Sequence, residues 1–274
     1  MRLLQIKPGL ADDFTIPAGT SVVQFHEPLN RSDYELLGSK LSDRPEVQLR
    51  VYHSARKEIT DLDFLAFFPR VRRLAIELYW LSNIDGFQAV EDLDELIFGW
   101  TDKKSYSLRF LERFPSLRQL YVEGRKKDLE VVASLQSLQE LTLRSITLSS
   151  TAFLLDIPNL QHLDIKLGGT ADLRELAELV HLKHLELWRI KGLVDLSFIA
   201  DLVSLETLFL QTLNRVVELP SFRNLQKLRS VVLETMKGLV NLQAVADAPA
   251  LESLNPRRDA GYRSKELTLL CGSP

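Results

Sequence analysis

The chain has 274 residues, 45% hydrophobic and 26% charged, which are the proportions of an ordinary soluble protein. A net charge of −3, from 34 basic and 37 acidic residues, excludes a global pull toward nucleic acid or an anionic membrane. A single cysteine, Cys271, leaves no internal disulfide. Residues 1–11 carry Arg2 and Lys7 but too short an apolar stretch for a signal peptide, and no run nears the ~18 apolar residues of a membrane span, so a cytoplasmic location is expected.

Residues 1–45 read as an N-terminal cap. Val22, Val23 and Phe25 suggest a strand. Ser32 and Asp33 are candidate caps for a helix through Leu41, with Glu35 in the capping-box place. Pro45 ends that helix, and a strand over residues 46–52 follows. Val23 and Phe25 make the cap a candidate degenerate repeat.

From there one spacing recurs. Counting the first apolar residue of a unit as offset 0, apolar residues stand at offsets 0, 3 and 5. Examples are Val71, Leu74, Ile76; Leu138, Leu141, Leu143; Leu160, Leu163, Ile165; Leu182, Leu185, Leu187; and Leu205, Leu208, Leu210. The units start at 71, 93, 117, 138, 160, 182, 205, 228 and 251, which are 21 to 24 residues apart. A weaker unit with Leu49 and Val51 precedes them. One such unit cannot bury its apolar face alone, so neighbours must stack. Each unit reads as a short strand, a turn and a return segment. In the unit at 182 the strand is 183–188, Ile190 points inward, Gly192 permits a turn, and Leu193, Leu196, Phe198, Ile199 and Leu202 make a short helix or 3-10 return.

The L-x-x-L-x-L spacing resembles the leucine-rich repeat over residues 46–254. The resemblance implies an α/β solenoid, a right-handed horseshoe with a parallel concave sheet and short helices or 3-10 turns on the convex side. It points to an intracellular bacterial member, since cysteine-rich end caps are missing. The asparagine often found at offset 8 is also missing: that place holds Tyr79, Thr101, Arg125, Ile146, Gly168, Ile190, Leu213 and Met236. Residues 255–274 are expected to form a C-terminal cap.

In a strand of period two, offsets 2, 4 and 6 face away from the core, and stacking turns each offset into a column. Trp188 and Phe209 are large rings at outward places on adjacent strands, with Tyr121 a third, among the mixed charges Glu123, Arg144, Asp164, Lys166 and Glu186. Rings and arginines ringed by polar groups are the composition of protein-binding hot spots. The expected function is therefore a non-enzymatic module, monomeric when free, that grips another protein: a cytosolic inhibitor, adaptor or immunity-type protein. The plainer reading of the same residues is a ladder of salt bridges with rings packed on neighbouring strands. A secreted bacterial effector is an alternative in the same class.

No Gly-rich phosphate loop, G-x-S-x-G, H-E-x-x-H or C-x-x-C occurs, and neither a catalytic residue nor a cofactor is expected. The alternative from a different class is a metal-dependent hydrolase using His162, Asp164, His184 and Glu186, which share offsets on adjacent strands; no metal is the leading expectation. His26, His53 and His181 have no evident partners in the sequence. Trp80 and Trp100 fall where packing at the strand-to-turn edge is expected. The runs Lys103–Lys104 and 125–127 read as solvated turns, not grips for nucleic acid.

Overall fold

In the computed structural model, which describes residues 2–53 and 57–257, the period of the sequence becomes a period of strands. The chain divides into two compact units, Met1–Leu138 and Gln139–Pro274. The first holds six parallel strands: β1 (Arg2–Gln5), β2 (Thr20–Phe25), β3 (Gln48–Tyr52), β4 (Arg73–Glu77), β5 (Glu95–Phe98) and β6 (Gln119–Glu123). The second holds β7 (Glu140–Arg144), β8 (His162–Lys166), β9 (His184–Trp188), β10 (Thr207–Gln211), β11 (Ser230–Glu234) and β12 (Ser253–Arg257), again parallel and paired in sequence order. This is the leucine-rich repeat fold. Most of the expected C-terminal cap, residues 258–274 with Cys271, lies outside the described residues.

Register follows the offsets. In the second unit Leu141, Leu163, Leu185, Leu208 and Val231 pair across strands in one buried column. Leu143, Ile165, Leu187, Leu210 and Leu233 form the next. In the first unit Val23, Leu49, Leu74, Leu96 and Leu120 do the same, so the cap strand β2 stands in register with the repeats. Because the side-chain period is two, a slip of one residue would expose every one of these leucines.

Most return segments are 3-10 turns of five or six residues, such as Asp63–Phe67, Arg174–Glu178 and Ser197–Asp201, and the one after β11 is a four-residue α-helix, Gln243–Ala246. Several begin with the same local device. Asp61, Asn83, Asp172, Asp195 and Asn241 each accept a hydrogen bond from the backbone N–H two residues on, the Asx turn that starts the segment. A unit of some 22 residues leaves little room for a longer helix.

The long helix of the first unit is α1 (Arg31–Ser42). Its cap is Asn30, whose side chain accepts from the Asp33 N–H; the expected cap residues Ser32 and Asp33 lie inside the helix. Asp33 is buried and instead accepts from the N–H groups of Gly9 and Leu10, both at 2.8 Å, which ties down the incoming chain. A Cβ on Gly38 would stand 2.0 Å from the Phe67 carbonyl oxygen, so glycine there lets the helix approach the next return segment. Tyr34 sits among Phe25, Phe64, Phe67 and Phe68.

After each of β7 to β11 the chain must turn away from the sheet. Ser145, Leu167, Arg189, Thr212 and Thr235, all at offset 7, do this with φ between 50° and 58°. None is glycine, and threonine in this region is strained. The conformation is held because the N–H at offset 7 reaches the offset-6 carbonyl of the next strand: Ser145 to Lys166 (2.7 Å), and Leu167 to Trp188, Arg189 to Gln211 and Thr212 to Glu234 (each 2.8 Å).

Candidate protein-binding face

The outward offsets of the second unit form a continuous set of half-buried side chains. On β7, β8 and β9 they include the charges Glu140, Arg144, Asp164, Lys166 and Glu186. Lys166 Nζ lies 2.9 Å from Asp164 and 2.7 Å from Glu186, bridging two carboxylates on adjacent strands. Asp164 also accepts from the Thr142 hydroxyl at 3.2 Å and lies 3.4 Å from His184 Nε2. Burial alone would raise the Asp164 carboxyl, but hydrogen bonds from His184 and Lys166 outweigh it and hold it below its ordinary value. Burial likewise opposes the Lys166 charge, and the two carboxylates reverse the sign, so its ammonium lies above the ordinary range. His162 stacks at a tilt on His184, centroids 5.7 Å apart, and lies 3.8 Å from Glu140.

On β9, β10 and β11 the same face turns apolar. Trp188, Phe209 and Val232 are half-buried, and Phe209 is in register with Glu186 on one side and Val232 on the other. The Arg144 guanidinium lies 5.1 Å from the Trp188 ring centre. So Arg144, Asp164, Lys166, Glu186, Trp188 and Phe209 all stand on one face, and the charged ones are already paired. The salt-bridge ladder of the plainer reading is present, and the rings stand beside it. In the first unit Tyr121 and Glu123 occupy the corresponding offsets, and the Tyr121 hydroxyl donates to Glu123 at 2.9 Å.

Three of the four residues of the hydrolase alternative come together. Asp164, His184 and Glu186 can place ligand atoms within 4.8 Å of one another, and His162 is not among them. Lys166 already supplies positive charge between the two carboxylates, so a metal ion would have to displace it. What the sequence reading missed is the hydroxyl partners, Thr142 on Asp164 and Thr207 on His184. They share offsets with the groups they bond, so the columns contained the signal.

The expectations for Arg125 and for two of the histidines need correction. Arg125 is not a solvated turn residue. It is 1% exposed, its guanidinium carbon lies 3.6 Å from the Phe98 ring centre, and it donates to the carbonyls of Phe98 (3.0 Å), Gly99 (2.7 Å) and Glu123 (3.0 Å). Burial, partly offset by the Glu123 carboxylate, pushes it down to about 10, which leaves it charged at neutral pH. His26 has partners in Gln5 (3.2 Å) and the Tyr52 ring, and His53 lies 3.1 Å from the Glu77 carbonyl. Trp80 and Trp100 do pack at the edge: Trp80 against Tyr79 and under Lys57, and Trp100 over Gly124, where a Cβ would stand 3.1 Å from the ring.

No family model matches the sequence, and no curated protein matches it. Among solved structures the chain is similar to an internalin (inlF) from Listeria monocytogenes at 18% identity, covering 90% of this chain and 68% of that one, with a TM-score of 0.53. It is also similar to an internalin C2 (inlC2) from the same organism at 17% identity, covering 82% and 83%, with a TM-score of 0.47. The first likeness is one of fold.

Proposed function

We propose that this chain is a non-enzymatic module that binds another protein through the outward face of its sheet. Stacked repeats supply extended surfaces of this kind. The observation that carries the reading is the position of Trp188 and Phe209, held half-exposed on adjacent strands beside charges that already satisfy one another. Pre-paired charges fix the surface without a large desolvation cost on docking, while rings supply the affinity. Arg144, Asp164, Lys166 and Glu186 frame the anchors, and Tyr121 and Glu123 are the contact residues of the first unit. A cytoplasmic inhibitor, adaptor or immunity-type protein, monomeric when free and taking no cofactor, nucleic acid or membrane, fits a chain of net charge −3 with a single cysteine. Among the described residues no helix is long and apolar enough to cross a membrane.

A photocrosslinking residue placed at Phe209 tests this in the native cell. The reading expects one dominant protein adduct from Phe209 and none from the same residue placed at Arg174, on a return segment. Adducts of equal yield from both positions contradict it.

A second reading, the metal-dependent hydrolase, is favoured only by the convergence of Asp164, His184 and Glu186. Elemental analysis distinguishes the two. About one metal per chain, lost in Asp164→Ala and His184→Ala, replaces the binding module with the hydrolase.

A further inference from the structure

The second unit carries a separate groove at the edge where the chain leaves its strands. It has a volume of about 650 Å³, and its lining includes Arg189, Lys191 and Arg215 together with Gly168 and Gly169. No carboxylate lines it, and no carboxylate lies within salt-bridge distance of those three cations among the described residues. The sheet face is different. On the sheet face Arg50 pairs with Glu77, Arg73 with Glu95, and Lys166 with two acids. In a chain of net charge −3, three neighbouring cations left without acids concentrate positive potential in one place.

The groove is built by the repeat itself. The left-handed residues Leu167, Arg189 and Thr212 swing the chain off the sheet at the same offset in successive units. Arg189 itself is one of them, so its position is set by the backbone bond to Gln211. The two glycines are there for a packing reason. A Cβ on Gly168 would stand 2.3 Å from the Ile146 carbonyl oxygen, and one on Gly169 would stand 2.9 Å from the Thr147 hydroxyl.

A second feature lies beside it. Val194, two residues after Gly192, is 47% exposed; Val217, two after Arg215, is 51% exposed; and Val240, one unit on, is 70% exposed. All three stand at offset 12 of successive units, and the Val240 N–H donates to the Val217 carbonyl at 3.1 Å, which puts those two in register. Cations flanked by an exposed aliphatic row match carboxylates interspersed with apolar side chains. They do not match a nucleic acid: no aromatic ring lines the groove on which a base would stack.

We propose that this edge groove is a docking site for an acidic peptide segment of a partner protein, with carboxylates on Arg189, Lys191 and Arg215 and aliphatic side chains on the valine row. The site is distinct from the sheet face and does not depend on Trp188 or Phe209.

The test uses the full chain and a fluorescein-labelled hexapeptide of alternating glutamate and valine. Fluorescence anisotropy at low salt is expected to show saturable binding that weakens as salt rises. Changing Arg189, Lys191 and Arg215 together to Ala is expected to weaken it at least tenfold. Val217→Ser is expected to weaken it a few-fold. Changing Arg174, Arg223 and Lys227 to Ala removes as many cations elsewhere in the unit and is expected to change it less than twofold. The three groove side chains are exposed, so melting should be unaffected; if the triple variant melts early, Lys191→Gln and Arg215→Gln singly must each show a part of the loss. The proposal is overturned if the peptide does not bind, if groove and control variants lose affinity alike, if a lysine–valine peptide binds as well, or if a hexathymidine probe binds through these cations while the acidic peptide does not.

Discussion

The two units use the same place in the repeat, offset 8, in opposite ways. In the first, it holds the half-buried Tyr79 and the buried Thr101 and Arg125, the last two bonded to backbone carbonyls: Thr101 to Lys103 at 2.7 Å, Arg125 to Phe98, Gly99 and Glu123. In the second, it holds Gly168 and four buried apolar side chains, Ile146, Ile190, Leu213 and Met236. The layer under the turn can thus be closed by polar groups that satisfy neighbouring carbonyls or by apolar volume. The fold requires that the layer be filled, and an asparagine ladder is one solution among several. The polar solution carries the higher stake, because removing its side chain strands buried acceptors.

The largest expected effect lies outside offset 8, in the buried leucine column at offset 3 of the second unit. Leu185 is fully buried with Leu163 and Leu208 as register neighbours. Leu185→Ala should destabilise by about 2–5 kcal/mol in a denaturant titration, as large core truncations do. A cost near zero would mean that the second unit is not packed as described. Arg125→Ala should cost about 2–4 kcal/mol, because it leaves two or three carbonyls without donors. If Arg125→Ala is as mild as a surface change, the buried guanidinium is not what closes the first unit's layer.

Smaller effects sharpen the reading of the sheet face. Lys166→Met should cost about 1–2 kcal/mol, since it leaves the Asp164 and Glu186 carboxylates facing each other. The pH dependence has a definite sign. A carboxyl held below its unfolded value contributes stability above that value and loses it as pH falls through the folded value, so the Asp164 contribution disappears below its ordinary 3.8. The Lys166 contribution, from a raised ammonium, disappears only above its ordinary 10.5. Melting temperature measured from pH 5 to pH 2.5 should therefore fall more steeply in the wild type than in Lys166→Met; parallel curves would show that the pair adds nothing. Thr142→Ala removes one hydroxyl bond to Asp164 from a half-buried site and should cost under about 1 kcal/mol. A loss matching that of Leu185→Ala would invert the inward and outward assignment.

Much of this was readable in the chain. The offsets at Leu141, Leu163, Leu185 and Leu208 pointed to buried columns because a strand alternates strictly, and any apolar residue at those places has one place to go. The outward positions of Trp188 and Phe209 followed from the same parity. The cap of α1 was harder: Asn30, Ser32 and Asp33 are all good caps, and Asp33 was claimed by the backbone of residues 9–10. The left-handed turns at Leu167, Arg189 and Thr212 left no mark, because glycine is the usual signal and the strain is held by a bond to the next repeat. Arg125 was misread for a related reason. Its neighbours Lys126 and Lys127 are exposed, and nothing local tells which of three cations turns inward onto Phe98. Pairing of charges on the sheet face depends on which strands neighbour each other, which the offsets supplied only once the stacking was granted.

The claim that the outward sheet face binds a partner is tested most directly by measuring stability and capture together in Trp188→Ala. The ring is half-buried and meets Arg144 at 5.1 Å, so its loss should lower stability by less than about 1 kcal/mol. An anchor of this kind typically carries ~2 kcal/mol or more of binding, so recovery of the partner crosslinked at Phe209 should fall at least tenfold while the melting temperature stays nearly unchanged. A protein that melts early would show the ring to be structural. One that keeps both its stability and its partner would remove Trp188 from the binding face and contradict the account.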